Sequence, residues 1–426
     1  MPSLAAHTAL IAIVGLSIFL MLLRPRRIPE VYWVGAGALF LVLTRLIPLS
    51  LAGHAIAEGT DVYLFLAGMM LLSELAREHG VFDWIASVAV THSRSSATRL
   101  FALLYLSGVA VTVCLSNDAT AIVLTPAVLA SVRRARIDPL PFLFACAMIA
   151  NAASFILPIS NPANLVVFHN GMPPLTRWLI SFLAPSLASI VVTWIVLRLY
   201  FRHSLASRLE PSVDDHATLT PNGKLVLGGL ALIVIVLLIA SALGKDLGLP
   251  TFLSAAIITA IILIRTHSSP IPLLKQISWS TLLLVAALFI LVEAVQSIGA
   301  LAFTEHALLA APHLAAPISA LAVGFTVAIA NNLINNLPVG LIAANTLTLT
   351  HTQGLLRDVT LIAVDLGPNL SVTGSLATIL WLLALRREGL NVTAGDFLKA
   401  GVIAMPLALI VALAASLSIN LLGATH

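Results

Sequence analysis

Two aspartates in this chain stand where a carboxylate is costly. Asp118 closes the triplet Ser116-Asn117-Asp118, which interrupts an otherwise apolar run from Phe101 to Val132. Asp365 lies in the apolar run that leads into Gly367-Pro368-Asn369. A charge at membrane depth costs about 3 kcal/mol or more, so an ionisable group placed there usually marks a site. Two chemistries suit it. Exclusion from water disfavours the charged form, so an aspartate can take up and release a proton; as an anion it can ligate Na⁺ beside carbonyls. The architectural alternative is a hydrogen-bond partner that caps a half-helix.

Neutral polar residues gather around both aspartates. Ser116 and Asn117 precede Asp118, and Asn335-Asn336 forms a second polar knot one half-chain on. Ser160, Asn161 and Asn164 sit in the Pro158–Asn164 interruption; Asn369, Ser371, Thr373, Gly374 and Ser375 sit in the Gly367–Ser375 interruption. We take Ser116, Asn117, Asp118, Ser160, Asn161, Asn164, Asn335, Asn336, Asn369, Thr373, Gly374 and Ser375 as candidate substrate-binding residues, and Asp118 and Asp365 as candidate proton carriers. Asn331 and Asn332 suit substrate contact and interhelical glue equally. No Lys or Arg lies near the interruptions, which argues against a pocket for a polyanion. Glu74 and Glu293 read as a shared architectural pair. Cys114 and Cys146 are the only cysteines, both inside apolar segments; Cys114, near the first tip, could ligate a thiophilic substrate but reads rather as a small apolar filler. No Cys framework, mid-span His or nucleophile–base constellation points to a metal, a cofactor or an enzyme.

The elements that must hold these residues are membrane helices. Of 426 residues 59% are hydrophobic and only 9% charged, against about 25% charged in soluble domains. The basic pI comes from short clusters between apolar runs, which is a topology signal and not a nucleic-acid stripe. Spans of about 20 apolar residues fall at Ala5–Leu23, Val31–Leu49, Val62–Leu75, Leu100–Val132, Pro139–Phe168 and Trp178–Leu199. After a polar segment holding Glu210, Asp214 and Asp215 they recur at Leu225–Leu243, Phe252–Ile264, Thr281–Val295, Ile318–Leu349, Thr360–Leu385 and Phe397–Leu422. The first run, followed by Arg24-Pro25-Arg26-Arg27, reads as a retained helix rather than a cleaved signal.

The two lists are copies. Phe65–Glu74 matches Leu284–Glu293, Gly80 and Gly299 follow at the same offset, and Asn117-Asp118 answers Asn335-Asn336. Placing Arg24–Arg27 in the cytoplasm puts 18 of the 22 Lys and Arg there and leaves Arg45, Arg177, Lys245 and Arg357 outside. Both termini are then outside, and the halves have opposite orientation, the plan of secondary transporters. The expected fold is all-α and polytopic in the cell membrane. It has a first inverted repeat (1–200), a cytoplasmic linker (201–223) that includes Arg208, and a second repeat (224–426). Each repeat holds about five transmembrane helices, one of them broken at mid-membrane (about 139–169 and 359–385).

Each repeat also holds one doubled run, about 97–133 and 316–350. The return arm Ala119–Val132 has 14 residues, about 21 Å of helix against a core of about 30 Å. Both runs are therefore expected to be re-entrant hairpins whose tips stop near the midplane, facing protein or a water-filled cavity. Pro and Gly unwind the broken helices and free backbone groups beside the tips.

At these residues the chain resembles the ion-transporter superfamily, and most closely the arsenite/antimonite efflux permeases (the ArsB family). The resemblance rests on Leu115-Ser116-Asn117-Asp118-Ala119, on Asn331-Asn332-Leu333-Ile334-Asn335-Asn336-Leu337-Pro338, and on Asp365-Leu366-Gly367-Pro368-Asn369 continuing to Gly374-Ser375-Leu376-Ala377-Thr378. It implies proton-coupled export of trivalent arsenic and antimony, an elevator-like division into scaffold and moving part, and action alone or with a cytosolic arsenical ATPase. It admits a homodimer. Asn117, Asp118, Asn335, Asn336 and Asp365 would be binding or coupling positions. Ser160-Asn161-Pro162 departs from the Ser-Asn-Thr of sodium-coupled dicarboxylate relatives. A Na⁺/H⁺ antiporter of the same superfamily, or the channel subunit of an ATPase-driven pump, are the competing readings. ATP use would need a partner, because no Gly-rich Lys motif occurs.

Overall fold

The computed structural model describes residues 4–25, 28–169, 171–206 and 218–423. Arg26, Arg27, Arg208, Glu210, Asp214 and Asp215, used above for topology and the linker, lie outside the described residues. All regular structure among the described residues is helical. The first half runs α1 (Leu4–Leu23), α2 (Glu30–Leu43), α3 (Leu49–Glu58), α4 (Thr60–Glu78), α5 (Val81–His92), α6 (Ala97–Cys114), a π-helical turn (Ala119–Leu124), α7 (Thr125–Arg134), α8 (Leu140–Ala152), α9 (Pro162–Val167) and α10 (Leu175–Tyr200). The second runs α11 (Pro221–Ala242), α12 (Gly248–Thr266), α13 (Pro270–Gln276), α14 (Trp279–Ser297), α15 (Ala302–Ala310), α16 (Ala316–Ile334), α17 (Asn336–Leu349), α18 (Leu355–Leu366), α19 (Leu376–Arg387) and α20 (Ala394–Gly423). Among the described residues eight helices are long and apolar enough to cross a membrane, or nine if α3 and α4, bent by 48°, count as one span.

The halves keep a common register. The starts of α4 and α14, of α6 and α16, and of α10 and α20 are each 219 residues apart (60 and 279, 97 and 316, 175 and 394). Gly80 and Gly299, which end α4 and α14, both turn the chain with left-handed backbone, at φ 72° and 71°, a conformation that favours glycine. Packing partners are exchanged between the halves: α4 lies on α12, α14 lies on α2, and the long helices α10 and α20 lie against each other. That exchange is what a two-fold relation between inverted repeats produces.

Three elements differ from the sequence reading. The run Val31–Leu49 is no single span: α2 ends at Leu43, Arg45 turns left-handed (φ 57°), and Pro48 starts α3. Proline has no N–H to continue α2 and fixes φ for a fresh start. α5 and α15 are short helices that join α4 and α14 to the hairpins, too short and mixed to register as spans. α11 begins at Pro221, capped by Thr220 Oγ1 on Gly223 N–H (3.0 Å), three residues inside the expected linker.

The broken helices are held open by asparagine. α18 gives way at Gly367-Pro368-Asn369, where Asn331 Nδ2 donates to the carbonyls of Ala363 (2.8 Å) and Val364 (3.0 Å). Asn332 Nδ2 donates to Gly367 O (2.9 Å), while its Oδ1 accepts from Ser371 N (3.0 Å) and Ser371 Oγ (2.7 Å). In the first half Asn164 Nδ2 serves Ser154 O (2.9 Å), Leu157 O and Pro158 O (3.3 Å each). Leaving a buried polar group unpaired costs about 1–3 kcal/mol. Asn332→Ala strands Gly367 O and the Ser371 donors together. It should lower the melting temperature of the detergent-solubilised protein clearly, whereas Asn345→Ala, on an arm of hairpin two, serves as the control expected to move it little.

Candidate functional site

Each hairpin reverses over very few residues. After α6, Ser116 Oγ accepts from Ala119 N (3.2 Å) and Asn117 Oδ1 accepts from Asp118 N (2.9 Å), so the triplet folds its own turn. The arm then widens into the π turn, which precedes Pro126. A proline ring clashes with the carbonyl four residues back, and the wider turn relieves that clash. The second tip is Asn335, left-handed at φ 75°. Its Oδ1 accepts from Leu337 N (3.4 Å) and its Nδ2 donates to Thr373 O (3.3 Å). Asn336 N donates to Gly374 O (2.9 Å), pinning this tip to the second break. A Cβ on Gly374 would stand 2.5 Å from Pro368 Cα and 2.8 Å from Asn332 Oδ1, so the tight return needs glycine.

The two tips and two breaks meet. Asn117 and Asp118 from tip one, Asn161 from break one, Asn336 from tip two and Ser375 from break two line one cavity of about 20 Å³, closed by Leu66 of α4 and Thr281 of α14. That is room for a water molecule. Asp118 also lines a second cavity, of about 110 Å³, with Ser116, Ser73, Glu74, Gln276 and Ser278 among its polar residues. Neither lining includes a Lys or Arg.

The other candidates fall outside these linings. Asp365 is fully buried and accepts at Oδ1 from Asn161 Nδ2 (2.8 Å); its Oδ2 has no partner among the described residues. Ser160 Oγ donates to Val113 O (3.3 Å) and accepts from Leu157 N (3.3 Å). Asn369 donates to Met148 O (2.9 Å) and accepts from Asn151 Nδ2 (3.0 Å). Thr373 Oγ1 donates to Asn332 O (2.9 Å). Asn335 borders a small crevice with Glu30 and Met21. Asn161 alone joins the groups, since it lines the tip cavity and holds Asp365.

Sequence reasoning overlooked several neighbours. Asn151 was legible as an amide inside the apolar α8, which is buried from Pro141 to Ala152. Thr281, Gln276 and Ser278 gave no signal, because they lie at helix ends and reach the site only through the packing of α14 and α13 on α4. Cys114 ends α6 and Cys146 is buried in α8. Among the described residues no group of three or more His, Cys, Asp or Glu could hold a metal ion.

Crossed broken helices, paired hairpins and a polar site where they meet define a multi-pass membrane transporter. The chain belongs to the citrate transporter family CitMHS, which matches residues 7–366. It is 26% identical over 430 residues to the arsenical pump membrane protein of Escherichia coli K12, covering 95% of this chain and 97% of that one. It is 25% identical to the arsenical pump membrane protein of Yersinia enterocolitica, covering 82% and 83%. In fold it is similar to the YdaH transporter of Alcanivorax borkumensis (TM-score 0.54, 15% identity, 88% of each chain).

An Asn at position 365 keeps the oxygen that accepts from Asn161 and replaces the unpartnered Oδ2 with a donor. Asp365→Asn should therefore fold with a melting temperature at or above the wild-type value, whereas Asp365→Leu should lower it by the cost of stranding Asn161. Thermal unfolding in detergent checks both.

Proposed function

We propose that the protein exports trivalent arsenic and antimony from the cytoplasm in exchange for protons. The substrate would be the neutral trihydroxide that arsenite forms at neutral pH. The observation that carries this reading is the chemistry around Asp118: amides and hydroxyls of Asn117, Asn161, Asn336 and Ser375, with no cation in the lining. Such groups donate to and accept from hydroxyls without needing a counter-charge. Citrate, named in the family's description, would carry its negative charges toward Asp118, with no Lys or Arg in either lining to balance them. The arsenical pump relatives agree with the neutral solute.

Net export of a neutral solute needs an energy source, and the two aspartates supply a route for protons. Asp118 borders the cavities and exchanges with water directly. Asp365 is sealed and communicates through Asn161. On the positive-inside pattern both termini would lie outside, and the larger cavity, near Arg77 and Lys275, would lie on the cytoplasmic side. The hairpins, stopping near the midplane, and the broken helices would form the part that moves against a scaffold containing α4 and α14, in one repeat spanning 1–200 and another spanning 224–426.

Everted membrane vesicles should accumulate arsenite when an inward-acid gradient is imposed, and Asp118→Asn should reduce that accumulation at least tenfold. Accumulation indifferent to the gradient and to both Asp118→Asn and Asp365→Asn would overturn the coupling. A parallel sodium gradient separates this reading from Na⁺/H⁺ exchange. If the trihydroxide travels intact, a Cys114→Ser, Cys146→Ser double variant should confer wild-type arsenite resistance on a sensitive host.

A further inference from the structure

The cavity of about 110 Å³ is not accounted for by the tips. Half of its wall is α4 (Leu66, Met69, Met70, Ser73, Glu74) with residues 276–278; the other half is hairpin one and Pro162. Ser73 and Ser278 have no side-chain hydrogen bond among the described residues, so their hydroxyls are available to a ligand. Glu74 is fixed by Arg77, whose Nε donates to Oε1 (3.1 Å) and Oε2 (3.0 Å). Arg77 Nη2 in turn donates to Gln276 Oε1, tying α4 to the C-terminus of α13 at the cavity's edge.

The other repeat tells what this cavity is for. One register of 219 on, Met69, Met70, Ser73 and Glu74 become Leu288, Phe289, Val292 and Glu293. There Phe289 packs 6.1 Å from Tyr63 and 5.9 Å from His169, centroid to centroid. The counterpart crevice, lined by Leu284, Leu288, Asn335, Leu337 and Leu376, holds about 10 Å³ against about 110 Å³ here.

We propose that the cavity beside α4 is a second binding site, a docking site for a small neutral polyhydroxyl solute on its way to the tips. Ser73, Ser278 and Gln276 exchange hydrogen bonds with its hydroxyls, and the Arg77-fixed carboxylate of Glu74 accepts from one. The volume admits several waters, hence a solute of three hydroxyls. The site exists only while hairpin one lies against α4, so it loads the transporter in this state and dissolves when the hairpin moves. The solute class rests on the function proposed above.

Two measurements test it. With Cys114 and Cys146 replaced by serine, Ser73→Cys should react with a water-soluble thiol reagent added to everted vesicles at least tenfold faster than Val292→Cys. Equal rates would remove the cavity as a passage, whatever the protein transports. In arsenite uptake by everted vesicles, Ser73→Val should raise KM about fivefold, the worth of one neutral hydrogen bond, with the maximal rate retained. Met70→Phe, which puts the second repeat's aromatic residue into the cavity wall, should cut uptake at least tenfold. Wild-type kinetics in both variants would overturn the site; absence of arsenite uptake by the wild type would instead overturn the function.

Discussion

A helix that is broken inside an apolar layer must have its freed carbonyls and amides satisfied by the protein itself, because no water reaches them. The interior of this molecule is arranged around that requirement. Asn164, Asn331 and Asn332 spend their amide donors on seven carbonyls at and beside the two breaks. Those bonds also fix which way each amide points, since a flipped amide would set oxygen against oxygen. Asn151 Oδ1, Asn164 Oδ1, Asn331 Oδ1 and Asp365 Oδ2 are buried acceptors without a donor among the described residues, and the hydroxyls of Ser186, Thr193, Ser241 and Ser416 are buried without a partner as well.

The pseudo-symmetry supplies two hairpins, but it does not make them equivalent. Tip two is stitched to break two through Asn336 N–Gly374 O and Asn335 Nδ2–Thr373 O, and behind it Asn332 ties α16 to the same break. Hairpin two and broken helix two are therefore tied together by backbone and side-chain bonds. Tip one is closed mainly by its own residues, Ser116 and Asn117, which leaves Asp118 presented to the cavities. The broken helices are joined to each other through Asn151–Asn369, Asn161–Asp365 and the Asn369 bond to Met148 O. Trp381 Nε1 adds a bond to Leu143 O (3.1 Å), and Arg133 reaches Glu388 from α7 (3.2 Å).

Much of this was legible in the sequence, because polar residues in an apolar chain announce themselves. Most of the spans, the duplication at Glu74 and Glu293 and the breaks at Pro158 and Pro368 follow from period, length and Pro/Gly chemistry. What sequence could not say was which asparagine faces a cavity and which holds a helix open. Asn161 and Asn164 are three residues apart in one motif, yet the first lines the tip cavity and the second serves three carbonyls. That division depends on the rotation of a six-residue helix, α9, and on its crossing with α18, neither of which leaves a local signature. The bend between α2 and α3 and the connecting helices α5 and α15 were lost for a different reason. They are set by turns and interfaces that a hydropathy window averages away.

The hydrogen-bond inventory of Asn161 links the two aspartates. Its Oδ1 is committed to Ala163 N (3.0 Å), capping α9, and one amide proton is committed to Asp365 Oδ1. An amide has a second proton to give, and Asn161 lines the tip cavity with Asp118. A solute hydroxyl that accepts this second bond would feel how firmly the first is held. The first is strongest to a charged carboxylate and weaker to a neutral one. Under proton exchange at Asp365, the sealed group would then speak to the substrate through a single amide and without a water path. Asn161 is the one residue that both lines the cavity bordered by Asp118 and holds Asp365, so on the proposed function it would join the two aspartates in one site.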